Sequence, residues 1–467
     1  MEGHLKNGFL VGDKRRCVGD DVASNHLCGW AHGVRCTKHG AFGGSSMSSA
    51  VGERWWYSLL RKIKRGIFSD SKASALLSAW FRRVGYPRLV LLLILGPQWP
   101  GRQQFWRRLQ AQSEWVREHP CEIYRLRLGD SHADGVGLVP LYCCVINGAQ
   151  VLGASNFVLT QDLLLHHDLY VFETDFTSEE NYLRMVFAMD FRRALWTQPI
   201  NPVQTLEVAA VFTDSCAANY AHWITEVLPR VAVFCADDRF KDIPLVIDAG
   251  LHVNIMASLR LLAGSERVIH ELEAGGAIRV ERLYWMSVAG YVPYERRRTL
   301  VGGHAQGEFS SMALGLTRQV CLRTVASGPY AQRKTAARKI FLKRNSGVRS
   351  LRNAAVIEMH LRTHGFEVVN CEELNFAEQV KVFSESSCIV GPTGAAFANL
   401  IFAPICARIL VLMGEHPDTS YDYWDNVAKA VGLRVDCLLG PSCNDGKGIH
   451  SDFSIDVNAL DRALRLH

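Results

Sequence analysis

No apolar run in this sequence is long enough to cross a bilayer. The longest, Leu89 to Leu95, falls far short of the roughly 20 residues a spanning helix needs. No signal-peptide pattern opens the chain, so a cytoplasmic location is expected. None of the 14 cysteines stands in a CxxC pair or another zinc-ligand spacing. Several of them (Cys143, Cys144, Cys235, Cys388) sit inside apolar runs, where a thiol behaves as a small hydrophobe. That pattern predicts a reducing compartment rather than a disulfide scaffold. Charge is modest as well, at 21% of residues and a formal net of +6, and no nucleic-acid partner is expected. What is present is a 48% hydrophobic chain of 467 residues, too long for one ordinary core, so two or more domains are expected.

The first 50 residues differ from the rest. They hold Gly, Ser, His and Cys without apolar periodicity. Cys17, Cys28, Cys36 and His39 are too irregularly spaced to suggest a metal site. This segment reads as disordered, or as preceding a native start at Met47. Residues 51–118 form a basic helical segment. Within it, Trp55 to Phe68 (WWYSLLRKIKRGIF) is amphipathic: Trp55, Trp56, Leu59, Leu60, Ile63 and Ile67 share one arc, opposite Arg61, Lys62, Lys64 and Arg65. Such a helix suits peripheral contact with an anionic membrane, or packs on the protein's own core with a solvated basic face. The basic stretch Arg102 to Arg117 extends either surface.

Residues 119–330 are expected to form one unit, β-rich at first and α/β later. Val145–Ile146, Val151–Leu152 and Phe157 to Thr160 read as strands. Asn219 to Phe234 (NYAHWITEVLPRVAVF) reads as a helix that Pro229 ends or kinks, with His222 and Glu226 on one face. Ile243 to Ile247 predicts a strand, Val253 to Ala263 a helix, and Arg267 to Ile269 another strand. Val301 to Ser327 reads as a variable loop.

Residues 331–467 alternate most clearly. The strand Lys339 to Lys343 is followed by a helix from Asn353 to Thr363 and a strand from Phe366 to Val369. A capping box at Asn375 and Glu378 then starts a helix to about Ser384. Next come the strand at Cys388 to Val390, a helix-like stretch from Ala395 to Phe402, the strand Ile409 to Met413, the helix Tyr423 to Val431 and the strand Arg434 to Leu438. This is a doubly wound α/β pattern, in which ligands bind beyond the carboxyl ends of the strands.

Two features fall at such ends. One is the turn Gly391-Pro392-Thr393-Gly394, which feeds the stretch beginning at Ala395. Free backbone N–H groups there suit an anion, and Thr393 can donate to a phosphate or sugar. The other is Arg344, in a loop that also carries Arg349 and Arg352. Arginine forks phosphate bidentately, so the loop suits a diphosphate. The plainer readings are a tight turn and a solvated basic loop.

The segments KIFLKRNSGVRSLRN and HGFEVVNCEELNFAEQVKVFSESSCIVGPTGAAFANLIFAP together resemble glycosyltransferase family 61. NYAHWITEVLPR, AQVLGASNFVLTQD and YWDNVAKAVGL are similar to further segments of that family, and the resemblance spans roughly residues 150 to 440. It implies two Rossmann-like domains facing a cleft, the B-type glycosyltransferase fold. It also implies inverting transfer from a nucleotide sugar to a glycan or glycolipid acceptor, without a structural metal or cofactor. Bacterial members resemble capsular or other exopolysaccharide biosynthesis proteins, and with the amphipathic helix at 55–68 a cytoplasmic enzyme peripheral at the inner face of the membrane is the expectation. By resemblance Arg344 holds the donor diphosphate, and Gly391, Thr393, Gly394 and Asn399 match the glycine turn. Arg349, Arg352, Asn353 and Ala395 complete the expected donor site. Thr393 stands where many members have His. A glutamate frequent in the following strand is replaced by Val411 or a neighbour, with Glu415 slightly later.

Inverting transfer needs a base for the acceptor hydroxyl and positive groups for the leaving diphosphate. His222, Glu226 and Asp214 are the base candidates, although a His and a Glu one turn apart are often structural. Two other readings stay open: a non-catalytic nucleotide-sugar-binding subunit of a polysaccharide assembly complex, and a phosphoesterase using Arg344 and His222.

Overall fold

The computed structural model describes residues 107–126, 141–181, 184–187, 191–196, 200, 202–293, 295–296, 307–327, 338–416, 421–443 and 450–465. The expected amphipathic helix at 55–68, the Cys- and His-containing front stretch and the proposed start at Met47 lie outside these residues. Among the described residues, no helix is long and apolar enough to cross a membrane.

Two sheets organise the chain. The first has 11 strands. They are β1 (Arg107–Ala111), β2 (Ile123–Arg125), β3 (Tyr142–Leu152), β4 (Val158–Leu159) and β5 (Leu163–His166), then, after β6 (Asp175–Phe176), β7 (Met185–Phe187), β8 (Arg193–Trp196), β9 (Pro202–Val211), β10 (Leu245–Asp248), β11 (Ile269–Leu272) and β12 (Ala277–Met286). The order is β11-β10-β9-β12-β3-β4-β5-β1-β8-β7, with β2 paired to β3. The region from β9 to β12 is parallel, as its strand–helix alternation predicts, while β12–β3 and β3–β4 are antiparallel. The short β13 (Gly290–Tyr291), β14 (Glu295–Arg296) and β15 (Glu308–Phe309) make two side pairs, β14 with β6 and β13 with β15.

The second sheet holds β16 (Arg338–Leu342), β17 (Glu367–Val369), β18 (Ser386–Pro392), β19 (Arg408–Gly414) and β20 (Val435–Gly440). It is wholly parallel, in the order β17-β16-β18-β19-β20. This is a doubly wound arrangement whose direction of travel reverses between β16 and β18, and that switch point is where such sheets bind ligands.

Helices pack against both sheets. A seven-residue helix, α1 (Gln112–Glu118), and a single turn, α2 (Ser178–Asn181), belong to the first half. The first half also holds α3 (Tyr220–His222), a π turn (Trp223–Val227), α4 (Leu228–Cys235), α5 (Val253–Ala263) and α6 (Ser311–Ser327). The second half supplies α7 (Ala354–Thr363), α8 (Phe376–Ser384), a 3-10 segment (Ala395–Phe402), α9 (Asp422–Ala430) and α10 (Val457–Arg465). One buried apolar cluster runs through both halves: it takes Val145, Ala210 and Ile247 from the first sheet, Val231 and Leu314 from α4 and α6, and Ile340, Ile389 and Val411 from the second sheet. The period-2 alternation of the strands sends Phe341, Val390 and Leu410 to the opposite face, where they pack with Ile357 of α7 and Leu460 of α10. Both faces of the second sheet are therefore covered, which explains its unbroken apolar strands.

Three local expectations need correction. Pro229 does not end its helix, which runs on to Cys235. The π turn just before it has already replaced the usual ladder, with Leu228 N–H donating to Trp223 O, so the missing proline N–H falls in the first turn of α4, where proline is tolerated. Ala395–Phe402 coils as a 3-10 segment rather than an α-helix. Its last six residues are all buried, and packing decides its shape over propensity. The stretch 301–327 is not simply a loop, since it contains β15 and the 17-residue helix α6. The buried positions of α6, Ala313, Leu314, Thr317, Cys321 and Val325, form a single helical stripe.

Candidate active site

At the switch point, β16 runs through Lys343 into Arg344, and β18 runs into Thr393 and Gly394. Arg344 lies directly over Gly394: a Cβ added there would stand 1.9 Å from Arg344 Nη1. Backbone strain is not the reason for this glycine, because its φ of 173° is extended. It is there because the guanidinium occupies the space of a side chain. Gly391 is needed similarly, since a Cβ would lie 2.7 Å from Leu342 Cβ. The turn is tied down from above and below. Thr393 N–H donates to Leu412 O at 2.9 Å, and its hydroxyl accepts from Trp424 Nε1 at 3.0 Å. Ala395, half-buried, begins the 3-10 segment without an intrasegment partner for its N–H.

Arg344 Nε donates to Val348 O at 3.2 Å, which fixes the side chain but leaves both terminal nitrogens without a partner among the described residues. Burial, reinforced by the charge of Arg349 and opposed by Glu372, pulls its pKa down to about 10. Arg349 is held below its ordinary value by burial, and its buried Nε is unpartnered. Two neighbouring half-buried cations with no carboxylate bonded to them among the described residues are costly unless an anion completes them. Arg352 is exposed, and its backbone N–H donates to Phe453 O at 2.8 Å. Asn353 does not point to a ligand, because both ends of its amide bond the backbone of Ile455. A strap at 450–455 thus clamps the arginine loop, aided by Ser350 N–H donating to Asp452 Oδ1 at 2.8 Å. Nothing in the sequence pattern marks this strap.

Asn399 is fully buried and also fully committed. Its oxygen accepts from Tyr220 OH at 2.7 Å, and its nitrogen donates to Gln379 Oε1 at 2.7 Å. It joins the two halves rather than facing the turn. Thr225 Oγ1 and Tyr423 OH, 3.3 Å apart, add a second polar tie. These ties hold α3 and the π turn against the 3-10 segment that follows the glycine turn.

His222 Nδ1 and Glu226 Oε1 are 2.5 Å apart. Glu226 Oε2 accepts from Val292 N–H at 3.0 Å, so the carboxylate is fixed at both oxygens. Burial opposes charging of His222, but Glu226, and beyond it Asp214, outweigh that and hold the imidazole above its ordinary value. Burial also raises Glu226, against the pull of His222, so the pair holds a proton tightly. With Nδ1 engaged, Nε2 has no partner among the described residues and is the atom that can take a proton from a substrate. The pair lies at a π turn, a distortion that recurs at functional sites.

Asp214 stands behind the pair. Its Oδ1 accepts from Cys216 N–H at 2.8 Å, and Oδ2 lies 3.6 Å from Arg230 Nη2. Asp248 caps the same turn, accepting from Asp214 N–H at 2.8 Å, and burial raises its carboxyl to about 7 against that bond and one from Ala154 N–H. Asp214 is therefore a spacer and charge partner of Arg230, whereas His222 presents the free atom. Sequence reasoning missed Asp248 and Arg230, although Arg230 closes the NYAHWITEVLPR segment. It also missed Trp424 as the partner of Thr393. Val411 is fully buried and Glu415 exposed, so neither sits with the turn as a carboxylate.

Residues 220–410 match the profile of the family described as Glycosyltransferase 61. That stretch belongs to glycosyltransferase family 61. The chain is a glycosyltransferase, and the matched region contains His222, Glu226, Arg344 and the whole glycine turn, with Asp214 and the 450–455 strap outside it. No curated protein matches the chain. The matched region thus holds both features described above, the His222–Glu226 pair from the first half and, from the second, the Arg344 guanidinium at the sheet's switch point.

Proposed function

We propose that this glycosyltransferase moves a sugar from a nucleotide-sugar donor to a glycan or glycolipid acceptor with inversion of the anomeric centre. The observation that carries the reading is the Arg344 guanidinium, unpaired and laid over Gly394 at the switch point of the parallel sheet. A donor diphosphate there would accept from the two terminal nitrogens of Arg344 and from the N–H of Ala395, with Arg349 adding charge. His222 Nε2 would take the proton of the acceptor hydroxyl, and Glu226 would hold the imidazole and stabilise the imidazolium. As the sugar carbon leaves the diphosphate oxygen, negative charge grows on the leaving group beside Arg344. The two parts come from opposite halves, in line with a two-domain, B-type arrangement divided at 119–330 and 331–467. Capsular or exopolysaccharide synthesis at the inner face of a membrane is the proposed setting.

The test is transfer to acceptors extracted from the native membrane, with the product's anomeric configuration read by NMR. An inverted product whose formation requires His222 supports the proposal. A retained configuration, or full turnover in His222→Gln, overturns it.

A further inference from the structure

A second cluster lies on the far face of the second sheet, away from the glycine turn. His360 and His364 are one turn apart on α7, in its last turn and just beyond, with ring centroids 4.6 Å apart. Asp461 reaches them from α10, its Oδ1 2.8 Å from His360 Nε2. Ligand atoms of all three lie within 4.8 Å of one another. Asp461 keeps Oδ2 for Arg465 at 3.2 Å, which orients the carboxylate and leaves Oδ1 facing the histidines. His364 Nδ1 lies 2.9 Å from His360 O, an arrangement that fixes the ring and leaves Nε2 outward.

We propose that His360, His364 and Asp461 form a binding site for a divalent transition cation of the Zn²⁺ class, which fastens α10 to α7. Two imidazoles and one carboxylate are a borderline donor set that favours Zn²⁺ over Ca²⁺ or Mg²⁺. Zn–N and Zn–O bonds of about 2.0–2.1 Å put neighbouring donors of a tetrahedral site about 3.3 Å apart, and the three donors here already lie within 4.8 Å of one another. Water completes the coordination, because His364 is exposed and the other two are half-buried. The last turn of α7 adds the negative end of its dipole. His360 O already holds His364 Nδ1, and Arg465 Nη2 already donates to Asp461 Oδ2, contacts that orient both ligands. The cation would join two helices that share Ile357, Leu361 and Leu460 in one apolar cluster and already meet at His360 and Asp461. It is structural, and no part of the transfer reaction passes through it.

The test uses the full chain, stripped with chelator and titrated with ZnCl₂ at pH 7.5, where unperturbed imidazoles are neutral. Isothermal titration counts the sites, and thermal unfolding reads the linkage. The expected result is a saturable site that raises the melting temperature in wild type. In His364→Gln and in Asp461→Asn, affinity at that site falls by at least about tenfold and the thermal gain disappears, as befits loss of a ligand. Both substitutions lie away from the glycine turn and the His222–Glu226 pair and should leave transferase activity in place. Zn²⁺ binding and stabilisation unchanged by either substitution would overturn the proposal, as would the absence of saturable binding below the millimolar range.

Discussion

The two parts of the site treat charge in opposite ways. Around His222, every charge has a partner: Glu226 answers the imidazole, Val292 N–H answers Glu226, and Arg230 stands against Asp214. Around Arg344, the cations are left open, with Arg349 making matters worse rather than better. A closed network can hold a proton that it receives, whereas an open pair of cations suits an anion from outside. Under the proposed function, the contrast fits proton transfer in the first half and charge neutralisation in the second. It also predicts that the two can be damaged separately.

The largest expected effect is on the rate. His222→Gln removes the base and should lower kcat by about 10²–10⁴-fold, the usual range for general base catalysis, while donor affinity stays near wild type. Equal losses in kcat and donor binding would erase the division. Next comes the arginine side. Gly394→Ala places a Cβ where Arg344 Nη1 now lies, and Arg344→Ala removes the charge. Each should weaken donor binding by about 10–100-fold, the equivalent of about 1.5–3 kcal/mol for a charge-assisted contact. Neither should lower the melting temperature of the unliganded protein, because among the described residues Arg344 has no ion pair to lose.

A third prediction concerns pH and sits apart from both. Burial holds His166 at about 3 and His167 well below its ordinary value, each beside Tyr170 and Arg230. The folded chain keeps both neutral, while the unfolded chain protonates them below about 6.5, so stability should fall as pH drops from about 6.5 toward 3. Asp248 works the other way: its raised carboxyl binds a proton in the folded chain from about pH 7 downward, which recovers part of the loss. His166→Phe should flatten the acid limb of a denaturation series. An unchanged limb would remove His166 from the account. The smallest effect is Tyr220→Phe, which deletes the bond to Asn399 and should cost about 1 kcal/mol of stability with donor affinity unaffected.

Much of the second sheet was legible because parallel strands buried on both faces are continuous apolar runs, and its turns carry strong signals. The Asn375–Glu378 capping box forms as its spacing predicts, with Asn375 accepting from Glu378 N–H and Glu378 reaching back to Asn375 N–H. The position of Arg344 followed from the same strand periodicity. Asn399 was harder. Its neighbourhood in the sequence is the glycine turn, yet its partners, Tyr220 and Gln379, are 179 and 20 residues away. Such pairing depends on how the halves pack and leaves no local trace. The strap at 450–455 was hidden for the same reason, since it holds the arginine loop through backbone contacts. The π turn has no composition signal either, although Pro229 just after it hinted at an irregular ladder.

The most direct test of the central claim is a thermal-shift series with UDP-, GDP-, CMP- and dTDP-linked sugars, run on wild type, Arg344→Ala and His222→Gln. A donor that stabilises the folded chain raises its melting temperature by mass action. The account predicts a shift with one nucleotide class, kept in His222→Gln and lost in Arg344→Ala. A shift that survives Arg344→Ala but disappears in His222→Gln would contradict it, by placing the donor on the acid–base side of the site.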